Sequence, residues 1–143
     1  MQNIVNDTLD FEMDYDYERF TRIIEADREF FVSVWDDDTN PENYLEMTYR
    51  AEDADSVAAA VRAELSQQYD LLEHTRELDR AGNCIYIEAS VLKGTNTMAD
   101  QLQAVYIIPA GDGSIVATAH YAVEGSEGFG RRFSLMLQTL SLL

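Results

Sequence analysis

Between Thr8 and Tyr17 the chain alternates without a break. Thr8, Asp10, Glu12, Asp14 and Asp16 fall on one side, and Leu9, Phe11, Met13, Tyr15 and Tyr17 on the other. Successive side chains of a β-strand point to opposite faces, so this pattern is that of a strand with one face in a core and one in water. The constraint is severe, because a slip of one residue would turn the carboxylates inward. Comparable segments follow. Phe30–Trp35 and Tyr44–Arg50 form an expected antiparallel pair around an acidic turn, and residues 71–78 a weaker strand. In CIYIEASVL, Ile85, Ile87, Ala89 and Val91 oppose Tyr86, Glu88 and Ser90. LQAVYIIP and SIVATAHYAV flank Ala110-Gly111-Asp112-Gly113, where the Asp-Gly pair predicts a tight hairpin. Residues 18–29 fit either a helical turn or a short strand, Ala81-Gly82-Asn83 a turn, and 93–100 a polar loop.

The period changes at residue 53. Val57, Val61 and Leu65, four apart in an alanine-rich run behind Asp53 and Asp55, predict an amphipathic helix over about 54–69. Phe129, Phe133, Met136, Leu137 and Leu140 share one face of a second helix over about 126–141, with Ser126 as its expected N-cap. The expected fold class is therefore α+β: an antiparallel sheet of about six to seven strands flanked by two main helices. Its 143 residues suit a single domain over 1–143, with 1–7 as a flexible lead-in.

Charge narrows the partners. The chain carries 27 acids against 10 bases, a net charge of −17, and Lys93 is its sole lysine. Such a surface repels phosphate backbones and anionic membranes, so no nucleic-acid partner is expected; a protein partner of cationic character is. Cys84 is the only cysteine, which leaves neither an internal disulfide nor a cysteine zinc site. No run of about 18 apolar residues is present to form a transmembrane helix. The first 20 residues hold six acids where a signal peptide would be apolar. If Met1 is the native start, a cytoplasmic location is expected.

Candidate chemistry is sparse. In WDDDTNPENYLEM, Asp36, Asp38 and Asn40 match the first three ligand positions of an EF-hand loop, but Pro41 replaces its turn glycine and Met47 its closing Glu. The segment reads as a solvated inter-strand turn, with weak Ca²⁺ binding as the alternative and no cofactor otherwise. Gly125-Ser126-Glu127-Gly128 is part of a nucleophile-elbow pattern, but Glu124 holds its first glycine position. A phosphate cradle at Gly125, Gly128 and Gly130 would be opposed by Glu124 and Glu127. His74, His120 and Cys84 read as packing and surface residues rather than as a thiol and its base. No catalytic residue is assigned.

DYDYERF, the helix after YLEMTYRAED, the strand pair around AVYIIPAGDGSIVATAHY and the ending EGSEGFGRRFSLMLQTL resemble small extracytoplasmic modules of Gram-positive gut bacteria, often lipoproteins, in the broad Mog1p/PsbP fold group. The resemblance runs from about residue 8 to 143 and departs from many relatives in lacking an IP-x-x-W motif. It implies a Mog1/PsbP-like sandwich without a common catalytic centre. It also implies adaptor or accessory roles, since Mog1p binds a small GTPase and PsbP supports ion retention in a larger complex. For this chain it implies an extracytoplasmic location, secreted or tethered to the membrane through a leader that this sequence does not include. The expected function is a non-enzymatic binding or accessory module, the soluble ectodomain of a bacterial lipoprotein or secreted protein. Its expected surface is Trp35, Asp36, Asp37, Asp38, Glu42 and Tyr44, where aromatics among acids suit cationic or sugar-like partners. A cytoplasmic acidic chaperone or adaptor is the alternative, and an unrecognised hydrolase the third.

Overall fold

In the computed structural model, which describes residues 1–36, 42–91, 101–122 and 126–143, the amino-terminal alternation folds as strand β2 (Phe11–Tyr15). Phe11 and Met13 are fully buried, and Tyr15 nearly so. The strand is shorter than expected, because Asp7–Asp10 form a turn and Asp10 adopts a left-handed backbone (φ 61°). Leu9 is nevertheless buried within that turn. Residues 1–7, expected as a lead-in, instead hold strand β1 (Gln2–Asn6), which pairs antiparallel with β2 from Gln2↔Tyr15 to Asn6↔Phe11. Only Ile4 and Asn6 of β1 are buried, so little of its apolar content announced a strand.

Residues 18–29 resolve into strand β3 (Phe20–Ile24) and the start of β4 (Arg28–Ser33). Strand β5 (Tyr44–Arg50) pairs with β4, and after helix α1 (Ala54–Leu65) come β6 (Tyr69–Leu78), β7 (Gly82–Val91), β8 (Gln101–Ala110) and β9 (Gly113–Ala122). These make a seven-stranded antiparallel sheet in the order β3-β4-β5-β9-β8-β7-β6. A second sheet, β1-β2-β10, is completed by strand β10 (Ser141–Leu142). The architecture is thus α+β, with ten strands in two antiparallel sheets and two α-helices among the described residues.

The β8–β9 hairpin differs from expectation by one residue. Ala110 pairs with Gly113, so the two-residue loop is Gly111-Asp112, with positive φ (60°) at Gly111 rather than at Gly113. Glycine at the first loop position suits a turn whose twist matches that of the strands. Gly113 serves another end: a Cβ there would collide with the Tyr49 ring and the Arg50 carbonyl.

Helix α1 begins at Ala54, with Asp55 in the first turn where the helix dipole favours an acid. It lays Val57, Ala58 and Val61 on Ile87, Val105, Ile107 and Val116 of the seven-stranded sheet. It ends at Leu65, short of the expected residue 69, because Tyr69 is drawn into pairing with Val91 at the start of β6. The carboxy-terminal helix is also shorter than 126–141. A π-helical turn (Ser126–Gly130) precedes helix α2 (Arg131–Gln138). Gly130 fits closely on Tyr121, since a Cβ would come within 2.7 Å of its hydroxyl oxygen. The capping role expected of Ser126 falls on a side chain outside those described. Thr139 stops α2: its hydroxyl donates to the Met136 carbonyl (2.6 Å) and accepts the Asp14 N–H (2.9 Å). The chain then turns extended, and Ser141 and Leu142 pair with Glu12 and Phe11.

The main core lies between the two sheets and under α2, around Phe11, Met13, Phe20, Phe31, Met47, Ile115 and Phe133. Burying a Phe or Leu of this kind contributes roughly 1.5–3 kcal/mol. Among the described residues one carboxylate enters it. Glu29 is fully buried and accepts hydrogen bonds from Asn6 Nδ2 (2.7 Å) and Arg22 Nε. Asn6 Oδ1 in turn accepts the backbone N–H groups of Thr8 and Leu9, at 3.0 and 2.8 Å. Glu29→Ala leaves Arg22 and Asn6 without their acceptor and is expected to cost about 3–5 kcal/mol in urea denaturation. Glu25→Ala, in the exposed β3–β4 turn, is expected to leave the midpoint unchanged; equal effects would remove the special role of Glu29.

Candidate interaction surface

Alternation gives the seven-stranded sheet two unlike faces. Leu45, Met47, Ala117 and Ala119 turn toward the main core, while Tyr44, Glu46, Thr118 and His120 turn to the other side. Helix α1 covers that second side over β7, β8 and part of β9. Beyond the helix, Phe30, Tyr44, Glu46, Thr118 and His120 are left half-exposed.

These residues form a ladder. The Tyr44 and His120 rings stack with centroids 5.2 Å apart and planes 19° from parallel, and Phe30 meets Tyr44 edge-on at 6.2 Å. The register explains this, since Tyr44 lies directly opposite His120 and Phe30 opposite Glu46. Arg28 lies over Phe30, 5.1 Å from its centroid, and pairs with Glu25 at 2.6 Å and Glu46 at 3.7 Å. Burial pushes the Glu46 carboxyl above its ordinary range; Arg28 opposes the rise, while Glu25 and Asp27 add to it. The Tyr44 hydroxyl is raised for related reasons, burial first and the Glu46 charge second. The ladder is therefore aromatic at its centre and anionic at its margin.

The β4–β5 turn borders the ladder. Asp36 accepts the N–H groups of Glu42 (3.0 Å) and Asn43 (2.6 Å) through Oδ2, so its carboxylate closes the turn on its own backbone. His120 Nδ1 is 2.8 Å from the Glu42 carbonyl oxygen, a contact that is a hydrogen bond when Nδ1 carries the proton. Trp35 is 69% exposed. Of the residues expected to form this surface, Asp36, Glu42 and Tyr44 meet at this turn and Trp35 lies exposed in it, while Asp37 and Asp38 lie outside the described residues, as does Asn40 of the expected cation ligands. Among the described residues no three His, Cys, Asp or Glu side chains form a group that could hold a metal ion. Phe30, Arg28, Glu46 and His120 were missed from sequence. Their signal was alternation in strands already recognised, but not which strands would be neighbours.

Cys84 and His120 lie on opposite faces of the sheet, since Cys84 belongs to the main core and His120 does not. Burial pushes the Cys84 thiol up to about 11, against a smaller lowering by Arg76. His74 lies opposite Tyr86 and packs on its ring (4.9 Å), Arg76 rather than His74 lies opposite Cys84, and Arg76 Nε donates to His74 Nε2 at 3.1 Å. The Arg76 guanidinium sits 3.6 Å from the centroid of Tyr86 and donates to the Tyr106 hydroxyl at 2.9 Å. No helix among the described residues is long and apolar enough to cross a membrane.

No family model and no curated protein matches this chain. Solved structures do. The solution structure of cyanobacterial PsbP (CyanoP) from Synechocystis superposes with a TM-score of 0.61 at 13% identity, over 99% of this chain and 92% of that one. The fold is PsbP-like. A crystal structure from Bacteroides thetaiotaomicron gives a TM-score of 0.60 at 12% identity, again over 99% of this chain. This chain spans about half of that protein, 48% of its length. The sandwich expected from the resemblance to the Mog1p/PsbP fold group is thereby found, and these identities speak for the fold alone.

Two outcomes follow from this geometry. Asp36→Ala frees two backbone donors of the turn and is expected to cost about 1–2 kcal/mol in thermal or urea unfolding. The Cys84 thiolate becomes abundant only near pH 11, above its ordinary value of 9. Thiol-labelling of the native protein at pH 8 is therefore expected to run at least a hundred-fold slower than in urea-denatured protein, and fast native labelling would contradict the burial.

Proposed function

We propose that this chain is a non-enzymatic accessory module, the ectodomain of a bacterial lipoprotein or a secreted protein, that holds a cationic protein partner. The single observation that carries this is the ladder Phe30–Tyr44–His120, half-exposed beyond α1 and bordered by Glu25, Glu42 and Glu46, with Trp35 exposed in the adjoining β4–β5 turn. Aromatic faces bind Lys and Arg side chains through their quadrupole, and carboxylates at the margin add charge complementarity. Hot spots are enriched in Trp and Tyr, which this surface supplies at its edge and centre. The net charge of −17 steers basic partners and repels anionic ones. The PsbP-like fold supports an accessory role. The resemblance to extracytoplasmic lipoprotein modules supports the location.

A photo-cross-linking residue placed at Trp35, with Gln67 in the turn after α1 as control, tests the surface in cells. The expected result is a cross-link to a basic protein in the envelope or secreted fraction from position 35 alone. Tyr44→Ala combined with Glu46→Gln is expected to weaken that complex at least tenfold in a purified binding assay. Equal cross-linking from both positions, or a complex indifferent to the double substitution, would reject the assignment.

A further inference from the structure

Beyond α1 the outer face of the large sheet continues through β9, β5, β4 and β3. Three strand spacings make this part about 14 Å wide, room for one further helix of about 10–12 Å with its side chains and not for two. Its length suits the same occupant. The seven residues of β5 extend about 23 Å, and the 12 residues of α1 on the neighbouring strands about 18 Å. Register fixes the floor. Ile23, Phe30, Glu46 and Thr118 form one row across β3, β4, β5 and β9, and Val32, Tyr44 and His120 belong to the next.

The two sides of this strip are acidic. Arg62 of α1 turns toward β6, where its Nη1 donates to the Glu73 carboxylate at 2.8 Å. Ala60 and Glu64, one turn apart on the opposite flank of α1, therefore border the strip, and both are exposed. The small Ala60 side chain lets a neighbouring backbone come close, and Glu64 sets a carboxylate beside it. On the far side Glu25, in the β3–β4 turn, supplies another. Between them Glu46 is short of positive charge. Its side chain is 29% exposed, and Arg28 reaches it only at 3.7 Å while holding Glu25 at 2.6 Å. Covering such a carboxylate is costly unless the covering element brings it a cation. An aromatic and aliphatic floor, a carboxylate within it and carboxylates on both sides match an amphipathic helix with basic flanks and one basic residue inside its apolar stripe. A second copy of this chain does not match, because each copy carries a net charge of −17.

We propose that the strip of sheet beside α1 docks a basic amphipathic helix of the partner protein, which lies alongside α1 and delivers one Lys or Arg side chain to Glu46. The inference rests on the reading of the ladder as a surface for a cationic partner and adds the form that partner takes. Apolar side chains of the helix lie on Phe30, Tyr44 and His120, and its flanking bases meet Glu64 and Glu25.

The probe is a capped helical peptide of about 14 residues, about 21 Å long, with a leucine stripe, one arginine at the middle of that stripe and lysines on both flanks. Calorimetric titration and amide-shift mapping by NMR follow its binding to the whole chain. Two altered peptides accompany it, one with a central proline that breaks the helix and one with glutamine in place of the arginine. The expected result is shifts at Phe30, Tyr44 and Thr118 on the sheet and at Ala60 on α1, none at Leu72, and binding at least tenfold weaker for both altered peptides. Ala60→Trp, which narrows the strip without touching the ladder, is expected to weaken the helical peptide at least tenfold; position 60 is exposed, so the larger side chain needs no cavity. Equal binding of either altered peptide, or indifference to Ala60→Trp, would overturn the proposal and leave the ladder as a cation-binding surface. Absence of binding, shifts scattered over the acidic surface, or dimerisation of the free protein through this face would overturn it as well. The complex captured through position 35 separates the two readings. Loss with Tyr44→Ala and Glu46→Gln but survival of Ala60→Trp rejects the helix alone, whereas indifference to all three substitutions rejects both. Mapping on the unsubstituted protein decides the case even if a variant fails to fold.

Discussion

A single buried carboxylate joins the two sheets. Glu29 sits at full burial on β4, held by Arg22 across the β3–β4 pair and by Asn6 at the end of β1. A lone ion in an apolar interior is strongly disfavoured, so the carboxylate is tolerable only while both partners are in place. Asn6 is committed twice, because its carbonyl oxygen also organises the turn through Thr8 and Leu9. The small sheet therefore docks in one register. Apolar burial between the sheets supplies the bulk of the stabilisation, but it would tolerate small slips that this polar contact does not.

From that docking follows the division of labour between the two faces of the larger sheet. The small sheet and α2 cover the inner face, whereas α1 covers only the β7–β9 part of the outer one. Twelve residues of helix cannot span seven strands at about 4.8 Å spacing, so one end of the outer face is left half-exposed. The exposed part carries stacked aromatics with carboxylates beside them, which is unlike a merely solvated strand face. Arg28 is engaged there by Glu25, Glu46 and the Phe30 ring, and two carboxylates against this one guanidinium leave that margin acidic.

The same excess of acid acts differently at different places. On β2 the carboxylates alternate outward and keep one face wet. Asp36 is used by backbone N–H groups and shapes a turn. Asp10 and Asp112 are exposed in the β1–β2 and β8–β9 turns, where water solvates them. The net charge of −17 distinguishes none of these roles, since it describes a sum and each role depends on what surrounds the group.

Much of the fold was legible in the sequence. Alternation is a local property, so β2, β5, β7, β8 and β9 were found, and on β2 the buried set Phe11, Met13 and Tyr15 was separated from the acids. The change of period located α1 for the same reason. What failed was set by long-range contacts. The strand Gln2–Asn6 exists because β2 offers it an edge, α1 stops where Tyr69 meets Val91, and the chain leaves α2 where the Thr139 hydroxyl bonds Asp14. Trp35, Asp36, Glu42 and Tyr44 lie within ten residues of one another and could be grouped from sequence, whereas His120 reaches Tyr44 only through the β5–β9 register. By itself the sequence determined an acidic α+β chain built of alternating strands and two helices. Tertiary structure alone decided which strands became neighbours, and with them the buried Glu29 and the stacked ladder, because each is assembled from residues far apart in the chain.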